Sequence, residues 1–192
     1  MKNTITIIIS ILVSAFALYA ADVVVYPTST GYPYKCPLPK TGQTVSYATD
    51  DDGGLEKGIV LPVPRFTIQS NTNCVLDNLT GLIWARNASN TVAAANWGTA
   101  ITNCNSLDYG GETDWRLPNI RELYSLVDFG VATAIVLPSG HPFISVRPDH
   151  YWTSTAVGAT TTYKWRVYFA GGHMIPVEQT ETWNVWPVRG GY

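Results

Sequence analysis

The sequence predicts an α+β domain with an antiparallel sheet, and three observations support that class. Strand-like segments come first along the chain, two helix-like segments follow, and strand-like segments then return. Of the 192 residues, 46% are hydrophobic and only 14% are charged, so the chain can bury a full core and is not a disordered protein. Gly and Pro occur 16 and 12 times beside only 2 Met, which favours strands and turns over a helix bundle.

The amino-terminal residues indicate that the protein leaves the cytoplasm. Residues 1–20 have the pattern of a secretory signal peptide, because Lys2 precedes the apolar run Ile5–Leu18 and small residues follow that run. We expect cleavage after Ala20, with cleavage after Ala17 as the alternative. The run is shorter than the ~20 residues that a membrane-spanning helix needs, and no later stretch reaches that length. The mature protein is therefore expected to be secreted, periplasmic or held at the cell surface, without a transmembrane segment.

Residues 21–65 are predicted to form an extended lead segment, because Pro, Gly, Thr and Asp interrupt every periodic pattern in them. The apolar residues Val23–Tyr26, Tyr47 and Val60–Val63 are expected to pack as an arm on the main domain. The acidic run Asp50–Gly54 offers hard carboxylate oxygens but lacks the spacing of an EF-hand loop. We interpret it as a solvated turn rather than a calcium site.

The main domain, residues 66–192, begins with three strand-like segments. These are Phe66–Ile68, Cys74–Asp77 and Gly81–Ala85. The residues Asn78–Thr80, followed by Gly, mark the turn between the second and the third segment. We therefore expect the last two to pair as a hairpin.

Two helices are predicted next. One face of the first carries apolar residues at steps of four, three and three, namely Trp97, Ile101, Cys104 and Leu107. Asn96 can cap the start of this helix. The second helix starts after Pro118, where Asn119 and Glu122 form a capping-box pattern, and Gly130 is expected to end it.

A loop over residues 131–150 then leads to three strands that carry tryptophan. They are Tyr151–Thr155, Tyr163–Phe169 and Trp183–Val188. In the middle strand, the odd-numbered aromatic and apolar residues alternate with Lys164 and Arg166. We therefore expect one face of that strand to be buried, the face that begins with Tyr163.

Three cysteines, Cys36, Cys74 and Cys104, leave one spare thiol if a single disulfide forms in an oxidising compartment. We expect a Cys74–Cys104 disulfide, since both residues lie in the part of the chain predicted to be the compact core. The alternative is that Cys104 is a buried apolar residue on a helix. The sequence has no C-x-x-C pair and no Cys/His cluster, so a structural zinc site is not indicated.

The sequence also excludes several functions. A net charge of −2 leaves no polycationic face for nucleic acid. Ser154 lies in a strand-like stretch rather than in a G-x-S-x-G elbow, and no glycine-rich phosphate loop is present. His141, His150 and His173 do not have the spacing of metal ligands. No nucleophile stands beside a base, so we do not expect an enzyme.

Four motifs are specific in combination. They are D-N-L-T-G-L-I-W at 77–84, D-W-R-L-P-N-I-R-E-L at 114–123, Y-W-T-S-T at 151–155 and V-W-P-V-R-G at 185–190. In this order they resemble the bacterial Lcl C-terminal domain family, and residues 38–44 resemble the stretch that precedes that domain. The resemblance covers residues 36–192.

The resemblance implies a C-type-lectin-like fold, related to the formylglycine-generating enzyme, in which two helices pack on a twisted antiparallel sheet with a loop-rich ligand face. It also implies a secreted or surface protein. The collagen-like adhesin that names the family binds sulfated polysaccharide, but this chain has no Gly-x-y repeat. The enzyme works through two cysteines near its end, whereas no Cys follows Cys104 here, so that activity is not expected.

Structural roles are expected for the aromatic and charged residues of these motifs, namely Asp114, Trp115, Arg116, Trp152, Trp186 and Arg189. Arg116, paired with either Asp114 or Glu122, would fix the start of the second helix. Trp84 is likewise expected in the core.

Ligand-binding residues are expected among the late loops and strands. Trp165 and Trp183 border these loops and can stack on a sugar ring. Glu178, Glu181 and Asn184 lie where a lectin-like fold would draw its calcium ligands, and no other cofactor is expected. The sequence does not indicate an oligomeric state.

The sequence therefore predicts a secreted, non-enzymatic binding or adhesion module for a surface glycan or a surface protein. Its ligand would be held by the loops over residues 131–150 and 157–183. The alternative is a structural or assembly component of the bacterial envelope, in which exposed aromatic residues form a protein interface. Calcium dependence would distinguish a lectin from such a component.

Overall fold

The computed structural model describes residues 38–191, which contain nine strands and three short helices. The strands are β1 Phe66–Ile68, β2 Cys74–Asp77, β3 Ile83–Ala85, β4 Val92–Ala95, β5 His150–Ala156, β6 Tyr163–Tyr168, β7 His173–Glu178, β8 Trp183–Val185 and β9 Val188–Arg189. The helices are α1 Asp52–Leu55, α2 Trp97–Asn105 and α3 Ile120–Tyr124. The predicted α+β class is confirmed. The predicted signal peptide, residues 21–37 of the lead segment and Cys36 lie outside the described residues.

The strands form two sheets. The first has four strands in the order β1-β2-β3-β9, and the second has five in the order β4-β8-β5-β6-β7. Neighbouring strands are antiparallel except for β5 and β8, which run parallel where Tyr151 faces Asn184. The structure thus has two sheets where a single antiparallel sheet is expected. The five-stranded sheet also contains one parallel pair, because β8 lies between β4 and β5.

The last predicted strand is divided between the two sheets. Residues 183–185 pair in the five-stranded sheet, and residues 188–189 pair in the four-stranded sheet. Pro187 has no backbone N–H and cannot continue a ladder, and its carbonyl accepts a hydrogen bond from Ala85 N at 3.1 Å. The end of the chain thereby connects the two sheets.

Two further strands, β4 and β7, are absent from the sequence prediction. β4 is rich in alanine, and β7 contains Pro176, so neither has a high strand propensity. β7 tolerates its proline because it lies at the edge of the five-stranded sheet. Both strands form because they pair with β8 and β6, which contain aromatic and β-branched residues that favour strands.

The helices begin where their caps predict. Asn96 Oδ1 accepts from Thr99 N at 3.0 Å at the start of α2, and Asn119 and Glu122 form the complete capping box of α3. α3 ends at Tyr124 rather than continuing toward Gly130, and the carbonyl of Ser125 accepts a hydrogen bond from Arg65 at 2.6 Å. Within residues 38–191 no helix is long and apolar enough to cross a membrane, since the longest has nine residues.

A short helix replaces the solvated turn predicted for Asp50–Gly54. Asp51 caps this helix, because its carboxylate accepts from Gly54 N at 2.9 Å and from Tyr47 N at 2.6 Å. The hydrogen bonds from these two backbone groups lower the pKa of Asp51. Its oxygens therefore stabilise the local backbone.

The described part of the lead segment does not pack as an apolar arm. Tyr47, Val60 and Val63 are 82%, 70% and 97% exposed. Residues 38–63 are held instead by backbone hydrogen bonds, such as Lys40 N to Ile59 O at 3.1 Å. The expectation that these apolar residues are buried against the domain is wrong, because backbone pairing rather than apolar packing holds the segment.

The motif tryptophans lie in the core, as expected. Trp84, Trp115, Trp152 and Trp186 are all at most 2% exposed. The rings of Trp84 and Trp186 meet edge to face at 5.7 Å, which packs β3 against the segment between β8 and β9. A smaller cluster beneath α2 contains Trp152.

The predicted Cys74–Cys104 disulfide is wrong for the described chain, in which both thiols are free and buried. Cys74 packs in the larger core cluster, whereas Cys104 packs beneath α2 in the smaller one. Burial raises the pKa of Cys104 to about 12 and also raises the pKa of Cys74. The structure supports the alternative interpretation that Cys104 is a buried apolar residue on a helix.

Candidate functional site

The charged residues of the D-W-R-L-P block hold the start of α3. Arg116 donates from its two terminal nitrogens to the two carboxylate oxygens of Glu122, each at 2.8 Å, and also to Gly190 O at 2.8 Å. The same carboxylate accepts from Asn119 N at 2.8 Å. Of the two partners considered for Arg116, the structure thus selects Glu122, and the pair orients the helix.

Asp114 pairs with Arg189 instead. Arg189 Nε lies 2.5 Å from Asp114 Oδ1, and a terminal nitrogen lies 2.8 Å from Glu112 Oε2. The hydrogen bond from Arg189 lowers the pKa of Asp114. These contacts attach β9 to the loop that precedes α3. The contacts of Asp114 and Arg189 therefore stabilise the fold, as expected for a structural role.

A cleft of about 400 Å³ adjoins this region and is lined in part by Arg116, Glu122, Asn105 and Ser154. Because Arg116 and Glu122 neutralise each other, the cleft has no net charge with which to select an ion. Its charged groups already orient the backbone. This cleft is therefore a poor candidate for the ligand face.

The candidate ligand residues lie on two different faces of the five-stranded sheet. Along β6 and β7, Trp165 faces Pro176 and Tyr163 faces Glu178, whereas Arg166 faces Ile175 on the next position. Since side chains alternate along a strand, Trp165 and Glu178 share one face, and Arg166 projects from the other. Trp183 lies on the face of Arg166, as the next contacts demonstrate.

Five side chains form a continuous group on that second face, here called the aromatic patch. They are His150, Arg166, Tyr168, His173 and Trp183. The guanidinium of Arg166 lies 4.1 Å from the ring centre of Trp183, and His150 meets Trp183 edge-on at 4.8 Å. His150 stacks on Tyr168 at 4.3 Å, and the ring of His173 lies 4.9 Å from that of Tyr168. The patch therefore spans four adjacent strands, β5 to β8.

Helix α2 covers the neighbouring part of the same face. Lys164 is only 5% exposed, lies 4.5 Å from the ring centre of Trp97 and donates to Thr161 O at 2.7 Å. Tyr163, in contrast, is 39% exposed. The prediction of a single buried face that begins with Tyr163 is thus wrong in part, because α2 covers the second face. The aromatic patch lies beyond this helix and remains half-buried to exposed.

The patch contains an unusual number of polar atoms without partners. Within residues 38–191, the buried Nε and Nη1 of Arg166, Nε1 of Trp183 and Nδ1 of His150 make no hydrogen bond. Desolvation and the charge of Arg166 lower the pKa of His150 to about 4, so its ring is neutral at pH 7. Desolvation also lowers the pKa of Arg166. Unpaired buried donors of this kind are uncommon in folded proteins.

The remaining predicted ligand residues have separate positions. Asn184 is buried, and its amide donates to Asp149 Oδ2 at 3.2 Å and to His150 O at 3.0 Å. Glu181 is exposed near Arg166 and acts on it through space. In the described part of the chain no three His, Cys, Asp or Glu side chains are grouped as a metal site. The calcium role expected for Glu178, Glu181 and Asn184 stays a prediction.

Sequence reasoning found Trp183 but missed four members of the patch. The alternation in β6 carried a signal, because Arg166 and Tyr168 follow Lys164 at steps of two. The spacing of His150 and His173 indicates neither a metal site nor an acid/base site. Their relation to β6 depends on strand register, which the sequence does not display.

A model of the Lcl C-terminal domain family matches residues 73–189, which is more than half of the chain. The match includes every strand from β2 to β9 and the whole aromatic patch. It confirms the resemblance that the four sequence motifs indicated. No curated protein matches the chain.

Proposed function

Because the chain belongs to the Lcl C-terminal domain family, we propose that it is a non-enzymatic binding module that holds a glycan on the aromatic patch. The proposal places the protein outside the cytoplasm, secreted, periplasmic or surface-held. It includes a C-type-lectin-like arrangement with a ligand face formed by loops and strand ends. The ligand would be a sugar chain on a cell surface.

One observation carries this proposal, namely the row of rings on an uncovered sheet face. Tyr168, His150 and Trp183 follow one another at ring distances of 4.3 and 4.8 Å, and His173 extends the row. One face of Tyr168 stacks on His150 and one face of Trp183 lies under Arg166, so the opposite ring faces would contact the C–H surface of a pyranose, while polar ring atoms can bond its hydroxyls. A row of rings across four strands suits an extended ligand better than a small compact one.

The patch also lies on paired strands, which favours binding. Tyr168 and His173 face each other in a regular antiparallel pair, and the same register continues to Tyr163 and Glu178. Side chains on paired strands need little ordering when a ligand arrives. The patch thus resembles a preformed surface rather than a mobile loop.

The proposal of a non-enzymatic role has support from the thiols. Cys74 and Cys104 are buried, and burial raises the pKa of each thiol, so neither is a ready nucleophile at neutral pH. His150 and His173, the two histidines of the patch, lie against aromatic rings. These surroundings suit recognition rather than covalent catalysis.

A second candidate function is envelope assembly through a protein interface. Seven large apolar side chains between residues 38 and 63 are exposed, namely Leu38, Val45, Tyr47, Leu55, Ile59, Val60 and Val63. Exposed apolar groups in one short segment are typical of a surface that contacts another protein. This alternative needs no ligand on the aromatic patch.

The test is a glycan array probed with the chain from Ala21, with calcium and with a chelator, and including sulfated polysaccharides at several salt concentrations. Trp183→Ala is compared with Trp165→Ala, a matched change on the opposite face. We expect Trp183→Ala to weaken a saturable hit about tenfold or more, and Trp165→Ala to leave it unchanged. Thermal melting of each variant verifies folding.

Three results would count against the proposal. If no glycan binds the folded chain in either buffer, the glycan role fails and envelope assembly becomes the better candidate. If Trp165→Ala abolishes binding while Trp183→Ala does not, the ligand face is the opposite one. If the hits weaken with salt alone and ignore both variants, the attraction is unspecific charge. Loss of binding in the chelator would support the calcium role.

A further inference from the structure

We infer that the ligand carries an isolated carboxylate and that Arg166 binds it, so that the aromatic patch selects an acidic sugar over its neutral counterpart. This inference rests on the proposed function and specifies its ligand class. It depends on the surroundings of the Arg166 guanidinium.

Arg166 has an unusual environment for an arginine. It is half-buried against Trp183, with 4.1 Å from the guanidinium carbon to the ring centre. Within residues 38–191 the side chain of Arg166 makes no hydrogen bond and no ion pair, and its Nε and Nη1 are buried. A guanidinium in this position has lost water without gaining a protein acceptor. It is therefore a site where an incoming acceptor gains more than it would at an exposed arginine.

The nearby acids do not satisfy this guanidinium. Asp149 acts on Arg166 through space, but its own oxygens accept from His150 N at 2.7 Å and from Asn184 Nδ2 at 3.2 Å. Glu181 is exposed and does not approach to ion-pair distance. Asn184 and the backbone thus hold Asp149 away from Arg166 and keep the cation available.

The other unpaired groups have the same preference. Trp183 Nε1 can only donate a hydrogen bond, and His150, neutral at pH 7, can donate from one of its ring nitrogens. These atoms are buried, so the donor that a ligand reaches directly is the second terminal nitrogen of Arg166, Nη2, which is not among them. A ligand that matches this nitrogen must present acceptor oxygens, and a carboxylate is the acceptor that suits an arginine.

The overall charge favours a single acidic group over a dense polyanion. The chain has a net charge of −2, and the patch is accompanied by Asp149 and Glu181. A polymer with several sulfates on each sugar would meet more repulsion from these acids than a chain with one carboxylate on each sugar, and in the latter one carboxylate can lie against Arg166 while its sugar ring contacts Tyr168 or His173. We therefore assign a uronic acid residue as the recognised unit.

The experiment measures binding of three matched probes to the chain from Ala21 by titration calorimetry. Oligomers of galacturonic, glucuronic and mannuronic acid are each compared with their methyl esters and with their carboxyl-reduced, neutral forms. We expect at least one acid to bind about tenfold to a hundredfold more tightly than its ester, as for hydrogen bonds to charged groups. The preference should persist at roughly 0.5 M salt, which screens distant charges.

Variants assign this preference to Arg166. Arg166→Met should reduce the acid-to-ester ratio to about one while the neutral form binds as before, and Arg166→Lys should retain part of the ratio. Arg121→Met is the matched control, because Arg121 is exposed on α3, whose buried Leu123 packs with Val167 on the other side of the sheet. It should leave every affinity unchanged.

The outcomes separate this inference from the proposed function. Equal binding of acid, ester and neutral probes would overturn the carboxylate while the glycan role survives. Preference for a sulfated galactan over every uronic acid would also overturn it. If no probe binds, the inference fails, and binding of other glycans on the array decides the proposed function. If Arg166→Met strongly lowers the melting temperature, Arg166→Gln replaces it as the test variant. The acid-to-ester affinity ratio of the wild-type chain then decides whether a carboxylate is preferred, and the ratio of Arg166→Gln decides whether Arg166 binds it.

Discussion

Removing the carboxylate of Asp77 is expected to destabilise this fold more than any change to a surface charge. Asp77 is fully buried, and Arg65, whose side chain is 8% exposed, lies 3.3 and 3.4 Å from its two oxygens. The same carboxylate accepts from Leu79 N and Thr80 Oγ1, each at 3.0 Å, in the turn that closes β2 and β3. Arg65 in turn donates to Ser125 O at 2.6 Å.

The magnitude follows from these contacts. Asp77→Ala leaves Arg65 charged, buried and without its counter-ion, and breaking a buried ion pair in this way typically costs about 3–5 kcal/mol. For a domain of this size each kcal/mol lowers the melting temperature by roughly 2–4 °C. We therefore expect Asp77→Ala to melt roughly 6–20 °C below the wild type.

The assay is urea unfolding followed by tryptophan fluorescence, since Trp84 and Trp186 lie in the core and report its exposure. Glu56→Ala is the matched control, because the Lys40–Glu56 pair at 2.9 Å is partly exposed and should contribute less than about 1 kcal/mol. The double variant Arg65→Met with Asp77→Leu should recover part of the loss, because it removes both charges but also removes the hydrogen bonds to Leu79 N, Thr80 Oγ1 and Ser125 O. Equal, small effects of Asp77→Ala and Glu56→Ala would refute the argument.

Three further predictions concern His150, the thiols and a helix cap. Burial and the charges of Arg166 and His173 lower the pKa of His150 from an ordinary 6.5 to about 4, although Asp149 raises it. The contribution of His150 to the free energy of unfolding should therefore be constant above neutral pH. It should fall between pH 6.5 and 4, by about 2 kcal/mol for a partly exposed ring, as the unfolded chain takes up the proton first; His150→Gln should flatten this slope in urea titrations. Alkylation in urea without reductant should label both Cys74 and Cys104, whereas both thiols should resist in the native chain. If mass spectrometry finds neither residue alkylated in urea, a Cys74–Cys104 disulfide is present after all. Asn119→Ala removes the cap of α3 and should cost about 0.5–2 kcal/mol, with Asn105→Ala as an exposed α2 control that should cost less.

Local signals in the sequence were sufficient for several elements. β1 and β2 occupy the predicted residues, and α2 and α3 begin after Asn96 and Asn119, because caps and turn residues act within a few positions along the chain. Four motifs were likewise enough to recognise the family. The place of the motif tryptophans in the motif strands also predicted that they lie in the core.

Tertiary structure decided the site. Alternation divides β6 into two faces, but α2 determines that Lys164 is buried, and strand register brings His150 and His173 beside Tyr168. Trp165 and Trp183 looked equivalent in the sequence but lie on opposite faces. The sequence by itself therefore determined the family, the helix starts and the core tryptophans. Only the packing of distant segments decided which faces remain open, because coverage of a strand depends on elements far away along the chain.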